Sequence, residues 1–214
     1  MPTAWEELPA DAPRIATNAQ HVLSGIAGAA HRRLPPTVAM AQQWHRELYA
    51  EIAAPHAYYA GEVRDSDPRF PELIGYEVRV GPSIGTRSAQ VPAALTDFQV
   101  SAQTVARTLD AAISARADPP AMRPQELHGV LTYCASLHGV WVRIHPFANG
   151  NGRTARLWAN WAALRYGLPP FVRIRPRPAG DAYAAAAFAS MRGDHAVTVA
   201  VFGQMLREYL AGLP

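Results

Sequence analysis

Residues 145–156, His-Pro-Phe-Ala-Asn-Gly-Asn-Gly-Arg-Thr-Ala-Arg, form the most informative stretch of this chain. Gly150 and Gly152 end a polar loop, and the residues from Thr154 onward have the apolar pattern of a helix. Glycine lets the backbone N–H groups of such a loop turn toward an anion, and a helix N-terminus adds partial positive charge there. The stretch therefore predicts an anion-binding loop, with a plain glycine-rich turn between two helices as the alternative.

Three side chains beside this loop carry the chemistry. Arg153 and Arg156 are three residues apart, so both lie on one face of the first helical turn, and guanidinium groups suit phosphate oxygens. His145 precedes the loop, and histidine is the side chain best suited to accept a proton near neutral pH. The combination predicts a site for attack on a polyphosphate. It is not a GxxxxGK[ST] phosphate loop, because the spacing differs and the sequence contains no lysine.

The composition bounds the class of protein. The 214 residues are 49% hydrophobic and 17% charged, which is typical of a globular domain with its own core. Cys134 is the only cysteine, so an internal disulfide framework is excluded. The net charge of +3 is small and the arginines are scattered, so no nucleic-acid partner is expected. Neither a signal peptide nor a membrane span is evident, and we expect a cytoplasmic protein with no membrane partner.

Outward from the loop, the sequence predicts a mostly helical domain. An extended or loosely attached leader at residues 1–14 precedes a weak helix at 15–31, and residues 76–80 and 86–91 alternate like a small hairpin. Prolines and glycines separate the remaining segments of helical periodicity. These predicted helices are residues 36–54, 92–116, 125–142, 154–166, 181–190 and 195–211.

The stretch 145–156 resembles the signature of Fic-domain proteins, HPFx(D/E)GNGRxxR, with Asn149 at the acidic position. A weaker likeness extends over roughly residues 36–210: it includes Gly61-Glu62-Val63-Arg64, the hairpin at 76–91, Tyr183 and Gly193-Asp194. The resemblance implies a mostly α fold with a helical core and a short β-hairpin flap. The Fic domain would span residues 36–214, after an N-terminal leader at 1–35.

The resemblance also implies an activity. Fic proteins transfer the nucleoside monophosphate of a triphosphate, most often AMP from ATP, to a Ser, Thr or Tyr hydroxyl of a protein target. His145 would be the general base and Phe147 the anchor of the loop. The alternating hairpin leaves an edge at which the flap would receive the target by strand addition; the alternative is that the hairpin merely packs on the domain. The phosphate contacts are expected from Gly150, Asn151, Gly152, Arg153 and Arg156, and the flap residues are Tyr76, Val78 and Val80.

Two departures from the family pattern leave alternatives open. The acidic residue of the signature binds Mg²⁺ (or Mn²⁺), and Asn149 offers only an amide oxygen. Metal binding would then be weaker, or the donor would differ from ATP, or transfer would be lost and a nucleotide-binding regulatory module would remain. Transfer of another phosphate-containing group is a further alternative. In an inhibitory helix aligned to residues 24–28, Ala27 stands where relatives carry a glutamate. Either a small partner protein would supply that glutamate, or Asn149 would keep the enzyme slow, or the protein would act away from the cell that makes it.

Overall fold

Helix α5, Asn151–Arg165, lies at the centre of the molecule and carries the two arginines of the signature. It packs against α1, Ala12–His31, α2, Val38–Leu48, and α4, Pro124–Ile144. Its side chains Leu157, Trp158 and Trp161 are fully buried. A helix that is buried on nearly all sides needs partners around it, and these three neighbours supply them.

The structure is a computed structural model and describes residues 4–80, 83–113 and 122–212. The other helices, α3, α6 and α7, pack with α4, and one two-stranded antiparallel hairpin accompanies them. Their bounds are Val91–Ala112 for α3, Asp181–Met191 for α6, Ala196–Leu210 for α7, Arg79–Val80 for β1 and Ser83–Ile84 for β2. The predicted fold class, a helical core with a short β-hairpin, is confirmed.

The predicted helices are present, with bounds set by their caps. Helix α2 begins after Thr37, whose hydroxyl accepts a hydrogen bond from the Met40 N–H at 3.3 Å. Helix α4 begins at a proline, which fits the first turn, and ends at Ile144, just before His145, whose φ is positive. Helix α1 forms in spite of its two glycines because one of its faces is buried. The predicted end of α3 near residue 116 lies outside the described residues.

The return strand predicted at 86–91 is wrong. Strands β1 and β2 pair over two residues each, and residues 88–90 form a 3-10 turn that leads directly into α3. The cause is a competing partner: the N–H of Thr86 bonds to the carbonyl of Arg143 at 3.0 Å, at the end of α4. The predicted turn residues Gly81 and Pro82 lie outside the described part of the chain.

The leader predicted to be loosely attached is also wrong for residues 4–14. Trp5 is only 4% exposed, and its ring lies 4.5 Å from that of Tyr49, centroid to centroid. A short 3-10 turn follows, and α1 already begins at Ala12. Burial of a large aromatic side chain stabilises such a segment against the domain.

Within the described ranges, no helix combines the length and the apolar character that crossing a bilayer requires.

Candidate active site

A cavity of about 530 Å³ opens at the N-terminus of α5. Its wall combines the loop 148–152, the end of α4, the flap and the segment 174–177 that follows α5. Many guanidinium groups around one cavity favour a ligand with several negative charges. Among the described residues, the arginines of this wall are Arg79, Arg153, Arg156, Arg175 and Arg177.

His145 lines the cavity as an uncharged base. Its Nδ1–H donates to the carbonyl of Val142 at 2.6 Å, because a carbonyl can only accept, and this leaves the lone pair on Nε2. Burial lowers the pKa of His145 to about 4; the hydrogen bond to Val142 opposes this shift, and the charge of Arg64 adds to it. At pH 7 the imidazole is therefore neutral, the form that accepts a proton.

Phe147 is fully buried behind the loop, as expected of an anchor. Its ring stacks on that of His45, with centroids 3.9 Å apart. The Nδ1 atom of His45 accepts from the Gly61 N–H at 2.9 Å, so its Nε2–H donates to the carbonyl of Asn149 at 3.0 Å. Burial lowers the pKa of His45 to about 3, and the neutral ring thus links the GExR-like run to the loop.

The backbone supplies the anion-binding part of the loop. Gly150 has a φ of +74°, and a Cβ there would lie 2.6 Å from the hydroxyl of Tyr49, so glycine is required. The side chain of Asn151 bonds to both the N–H and the carbonyl of Phe147 at 2.8 Å and so holds the loop closed at the start of α5. The N–H groups of Asn151 and Gly152 open α5 and have no helical acceptor.

The two signature arginines have different surroundings. Arg156 is 6% exposed and donates from Nε and Nη2 to the carbonyl of Ile174, at 3.2 and 2.9 Å, and from Nη1 to the hydroxyl of Tyr183 at 3.4 Å. Arg153 is more accessible and forms an ion pair with Glu7. Arg156 therefore fixes the segment after α5, whereas Arg153 meets an anion from another part of the chain.

Asn149 does not offer a free metal ligand. Its Nδ2 donates to the carbonyl of Trp5 at 2.9 Å, and its Oδ1 accepts from the Gly150 N–H at 2.5 Å. No cluster of three or more His, Cys, Asp or Glu side chains suited to a metal ion occurs in the described ranges. Mg²⁺ prefers carboxylate and phosphate oxygens, so the residues present do not fit a protein-built Mg²⁺ or Mn²⁺ site.

The predicted flap residues have separate places. Tyr76 is buried, with its ring 5.9 Å from that of Tyr59, and so faces inward. Val78 is half-buried and lines the cavity. Val80 lies on β1, but its side chain is outside the described part of the structure. Any docking of a target at this flap therefore depends on its backbone edge more than on Tyr76.

Arg64, in the GExR-like run, joins the flap to the base. It is fully buried and donates to the carbonyls of Tyr76 at 2.6 Å and Thr86 at 3.1 Å, one at each end of the flap. It also donates to Ile144 at 3.1 Å and to the backbone carbonyl of His145 at 2.9 Å. One guanidinium thus fixes both ends of the flap relative to the imidazole.

The carboxylate nearest the signature arginines comes from an unexpected place. Ala27, predicted at the inhibitory position, is half-buried on α1 and packs against the core; it is not among the described residues of the cavity wall. Glu7, which sequence reasoning missed, accepts hydrogen bonds from both Nη atoms of Arg153. Arg175 and Tyr49, also missed, complete its surroundings.

Three buried histidines should make the protein sensitive to acid. Burial lowers the pKa of His45 and of His138 to about 3, and that of His145 to about 4. Each folded pKa is below the unfolded value of about 6.5, so the unfolded state binds more protons between these values. The contribution of these neutral histidines to the free energy of unfolding is complete above pH 6.5. It falls as the pH decreases, by up to about 1.4 kcal/mol per pH unit for each histidine.

Urea denaturation at pH 7, 6 and 5 measures this effect, with a lower free energy of unfolding expected at each step. His21→Ala, at an exposed position of α1, is the matched control and should keep the slope of wild type. His45→Gln should be less stable at pH 7 but should lose less stability on acidification. Equal stability at pH 7 and pH 5 would contradict the prediction.

Comparisons with known proteins identify the family of this chain. The model of the Fic/DOC family matches residues 35–163. A uridine 5′-monophosphate transferase of Xanthomonas campestris is 52% identical over 42 residues, which are 20% of this chain and 8% of that protein. A protein adenylyltransferase Fic of Nematostella vectensis is 45% identical over 60 residues, 28% of this chain and 14% of that protein. The chain thus spans only a small part of the curated relatives it matches.

The fold comparison covers nearly the whole chain. The crystal structure of the BepC protein of Bartonella tribocorum, with bound AMPPNP, superposes with a TM-score of 0.56 at 14% sequence identity, over 90% of this chain and 86% of that one. At this identity the likeness concerns the fold alone. The family match covers more than half of the chain and includes the whole signature loop. The chain belongs to the Fic/DOC family.

Proposed function

We propose that this protein is a nucleotidyltransferase that moves a nucleoside monophosphate, with AMP from ATP as the first candidate, to a Ser, Thr or Tyr hydroxyl of a protein target. The observation that carries the proposal is the juxtaposition of an uncharged histidine and an anion-binding helix N-terminus on one cavity wall. A module that only binds nucleotide has no need of a general base such as His145 on this wall. The family membership and the names of the relatives support the same class of reaction.

The proposed reaction uses the groups on this wall. The target hydroxyl oxygen attacks the α-phosphorus, its proton passes to Nε2 of His145, and the bond from the α-phosphorus to the β-phosphate oxygen breaks. Pyrophosphate leaves, and the N–H groups at the start of α5 and the guanidinium of Arg153 stabilise its negative charge. The triphosphate also raises the pKa of His145 toward neutrality, since a nearby negative charge favours the imidazolium. No step is assigned to Mg²⁺ or Mn²⁺, because Asn149 already bonds to Gly150 and Trp5.

The structure of the cavity wall bears on which nucleobase the donor carries. The cavity wall holds arginines suited to phosphates, and this supports triphosphate binding without selecting adenine. The relative named uridine 5′-monophosphate transferase matches this chain at a higher identity than the relatives named adenylyltransferase, over a comparably short segment. Transfer of UMP from UTP is therefore the second candidate.

With either nucleotide, we propose that the target docks along the backbone edge of the flap, next to Val78.

Labelled nucleotides test these proposals together. The purified protein is incubated with ATP, UTP, GTP or CTP labelled at the α-phosphate, and separately with ATP labelled at the γ-phosphate, and self-modification is read after denaturation. Incorporation of the α label indicates nucleotidyl transfer, whereas the γ label indicates phosphotransfer. Binding of a triphosphate without any incorporation, both alone and with a cell lysate as the source of targets, would support the regulatory module instead.

Replacing Arg153 by alanine should weaken triphosphate binding more than monophosphate binding. A charge-assisted hydrogen bond contributes about 1.5–3 kcal/mol, so we expect about a tenfold or larger loss for ATP and a small loss for AMP. Calorimetry with both nucleotides measures the difference. Arg107→Ala removes the same charge from an exposed position of α3 and should change neither affinity. Equal losses for ATP and AMP would refute the assignment of Arg153 to the outer phosphates.

A further inference from the structure

The segment that precedes α1 reaches the cavity at the start of α5, where Trp5 lines the wall and Glu7 pairs with Arg153. We define residues 4–8 as the N-terminal strap. We propose that the strap places the Glu7 carboxylate where the outer phosphates of the triphosphate bind, that strap and triphosphate compete for this place, and that Arg175 is a phosphate-binding residue outside the signature. The inference rests on the proposed function, whose site it deepens.

Glu7 occupies a site built for an anion. Its carboxylate accepts from both Nη atoms of Arg153 and from the hydroxyl of Tyr49 at 2.6 Å, and lies 3.8 Å from Nη1 of Arg175. The side chains of Glu7 and Arg153 are only 16% and 12% exposed. A guanidinium fork binds a carboxylate and a phosphate in the same way, so one carboxylate among these donors marks the place of a phosphate.

The strap is held by more than this ion pair. The ring of Trp5 packs against Tyr49, and its backbone carbonyl accepts from the amide of Asn149 at 2.9 Å. A carboxylate at position 149 has no hydrogen to donate to that carbonyl. The asparagine at the acidic position of the signature and the strap therefore depend on each other. The Asn149 amide, which replaces the acid, holds the segment that carries Glu7.

Hydrogen bonds of the neighbouring backbone hold Arg175 beside Arg153. The preceding residue, Ile174, accepts two hydrogen bonds from Arg156, and Val172 exchanges two with the side chain of Asn160 on α5, at 2.7 and 3.0 Å. These bonds fix the backbone that bears Arg175 at the cavity wall. Because its guanidinium approaches the same carboxylate as Arg153, it is expected to approach the same phosphate once Glu7 has left.

The competing explanation is that Glu7 assists binding, for example as a carboxylate that replaces the missing acid at position 149. The present contacts oppose it, since both oxygens of Glu7 already accept from arginine or tyrosine. The two explanations predict opposite effects when the charge of Glu7 is removed. Competition predicts tighter triphosphate binding, and assistance predicts weaker binding.

The test is calorimetric titration of the full chain with inorganic tripolyphosphate and with ATP. Glu7→Gln should tighten both, by up to about tenfold if the strap is closed in about nine molecules of ten, because apparent affinity scales with the open fraction. Glu6→Gln, the same change at the exposed neighbouring residue, is the matched control and should bind as wild type does. Unchanged or weaker binding by Glu7→Gln would overturn the proposal.

A second pair of variants separates the strap from a general effect of charge. Trp5→Ala leaves the charge intact but removes the packing of the strap, and it should also tighten tripolyphosphate binding. If only Glu7→Gln does so, competition by the strap is refuted. Arg175→Met should weaken tripolyphosphate binding about tenfold and AMP binding much less; an equal effect on both would refute its role.

These measurements do not depend on the proposed transfer reaction. Tighter tripolyphosphate binding by Glu7→Gln without incorporation of any α label would support the strap and count against the enzyme. If wild type incorporates the α label but wild type and Glu7→Gln bind tripolyphosphate equally, the enzyme would be supported and the strap refuted. The two proposals thus fail in distinguishable ways.

Discussion

Replacing His145 by alanine is expected to lower the rate of α-label incorporation about 10²–10⁴-fold, the usual contribution of a general base. The reason is geometric: Nδ1 is committed to Val142, and Nε2 is the atom left to take the proton of the hydroxyl. The proposed phosphate contacts come from other residues, so ATP affinity measured by calorimetry should change little. A rate within about threefold of wild type would remove the acid–base role.

Two further variants are needed to interpret this result. His145 has a φ of +53°, where alanine is strained, whereas asparagine tolerates this conformation. His145→Asn therefore keeps the end of α4 in place and should lose as much activity as His145→Ala. His128→Ala removes an exposed histidine from the same helix and should retain the wild-type rate. Loss of activity in His145→Ala but not in His145→Asn would indicate a role in backbone geometry instead.

Replacing Arg64 by methionine should have the largest effect on stability. Methionine fills much of the volume but leaves the carbonyls of Tyr76, Thr86, Ile144 and His145 without this donor in a buried site. Removing one partner from a buried charged network costs about 3–5 kcal/mol. For a chain of this size that corresponds to a decrease of about 6–20 °C in melting temperature. Differential scanning calorimetry measures it.

The control for this variant lies on the flap itself. Arg87 is exposed and lies 4.0 Å from Glu77, so Arg87→Met should change the melting temperature by no more than about 1–2 °C. Arg64→Lys keeps the charge but has fewer donors and no planar fork, and should lie between methionine and wild type. A melting temperature of Arg64→Met within two degrees of wild type would contradict the central role of this guanidinium.

The helical fold and the loop 145–156 were predictable because both depend on local sequence. Apolar periodicity located the helices, and the glycines and the two arginines of the loop located the cavity. The flap was only partly predictable, since alternation at 86–91 competes with a backbone hydrogen bond to Arg143 that no local pattern encodes. Contacts between distant segments override weak strand propensity.

The missing parts of the site come from far along the chain. Glu7 and Asn149 are separated by more than 140 residues, and the carbonyl of Trp5 that links them carries no sequence signal. A tryptophan within an otherwise polar leader was the one available indication that residues 4–8 pack against the domain. Arg175 was hidden among scattered arginines, because only the bonds of Ile174 and Val172 to α5 bring it to the cavity.

The contacts of Arg64 have a consequence for how the flap can diverge. All four of the carbonyls it binds belong to the backbone, and Glu77, whose Oε2 lies 3.8 Å from Nη1, is the flap side chain that pairs with it, so Arg64 fixes the path of the flap mainly through the backbone. Substitutions between the two anchored ends can alter the surface offered to a target while the imidazole stays where it is. On the proposed function, recognition and chemistry are in this way separable in the sequence, and substitution of a few flap residues would change the target without moving the imidazole of His145.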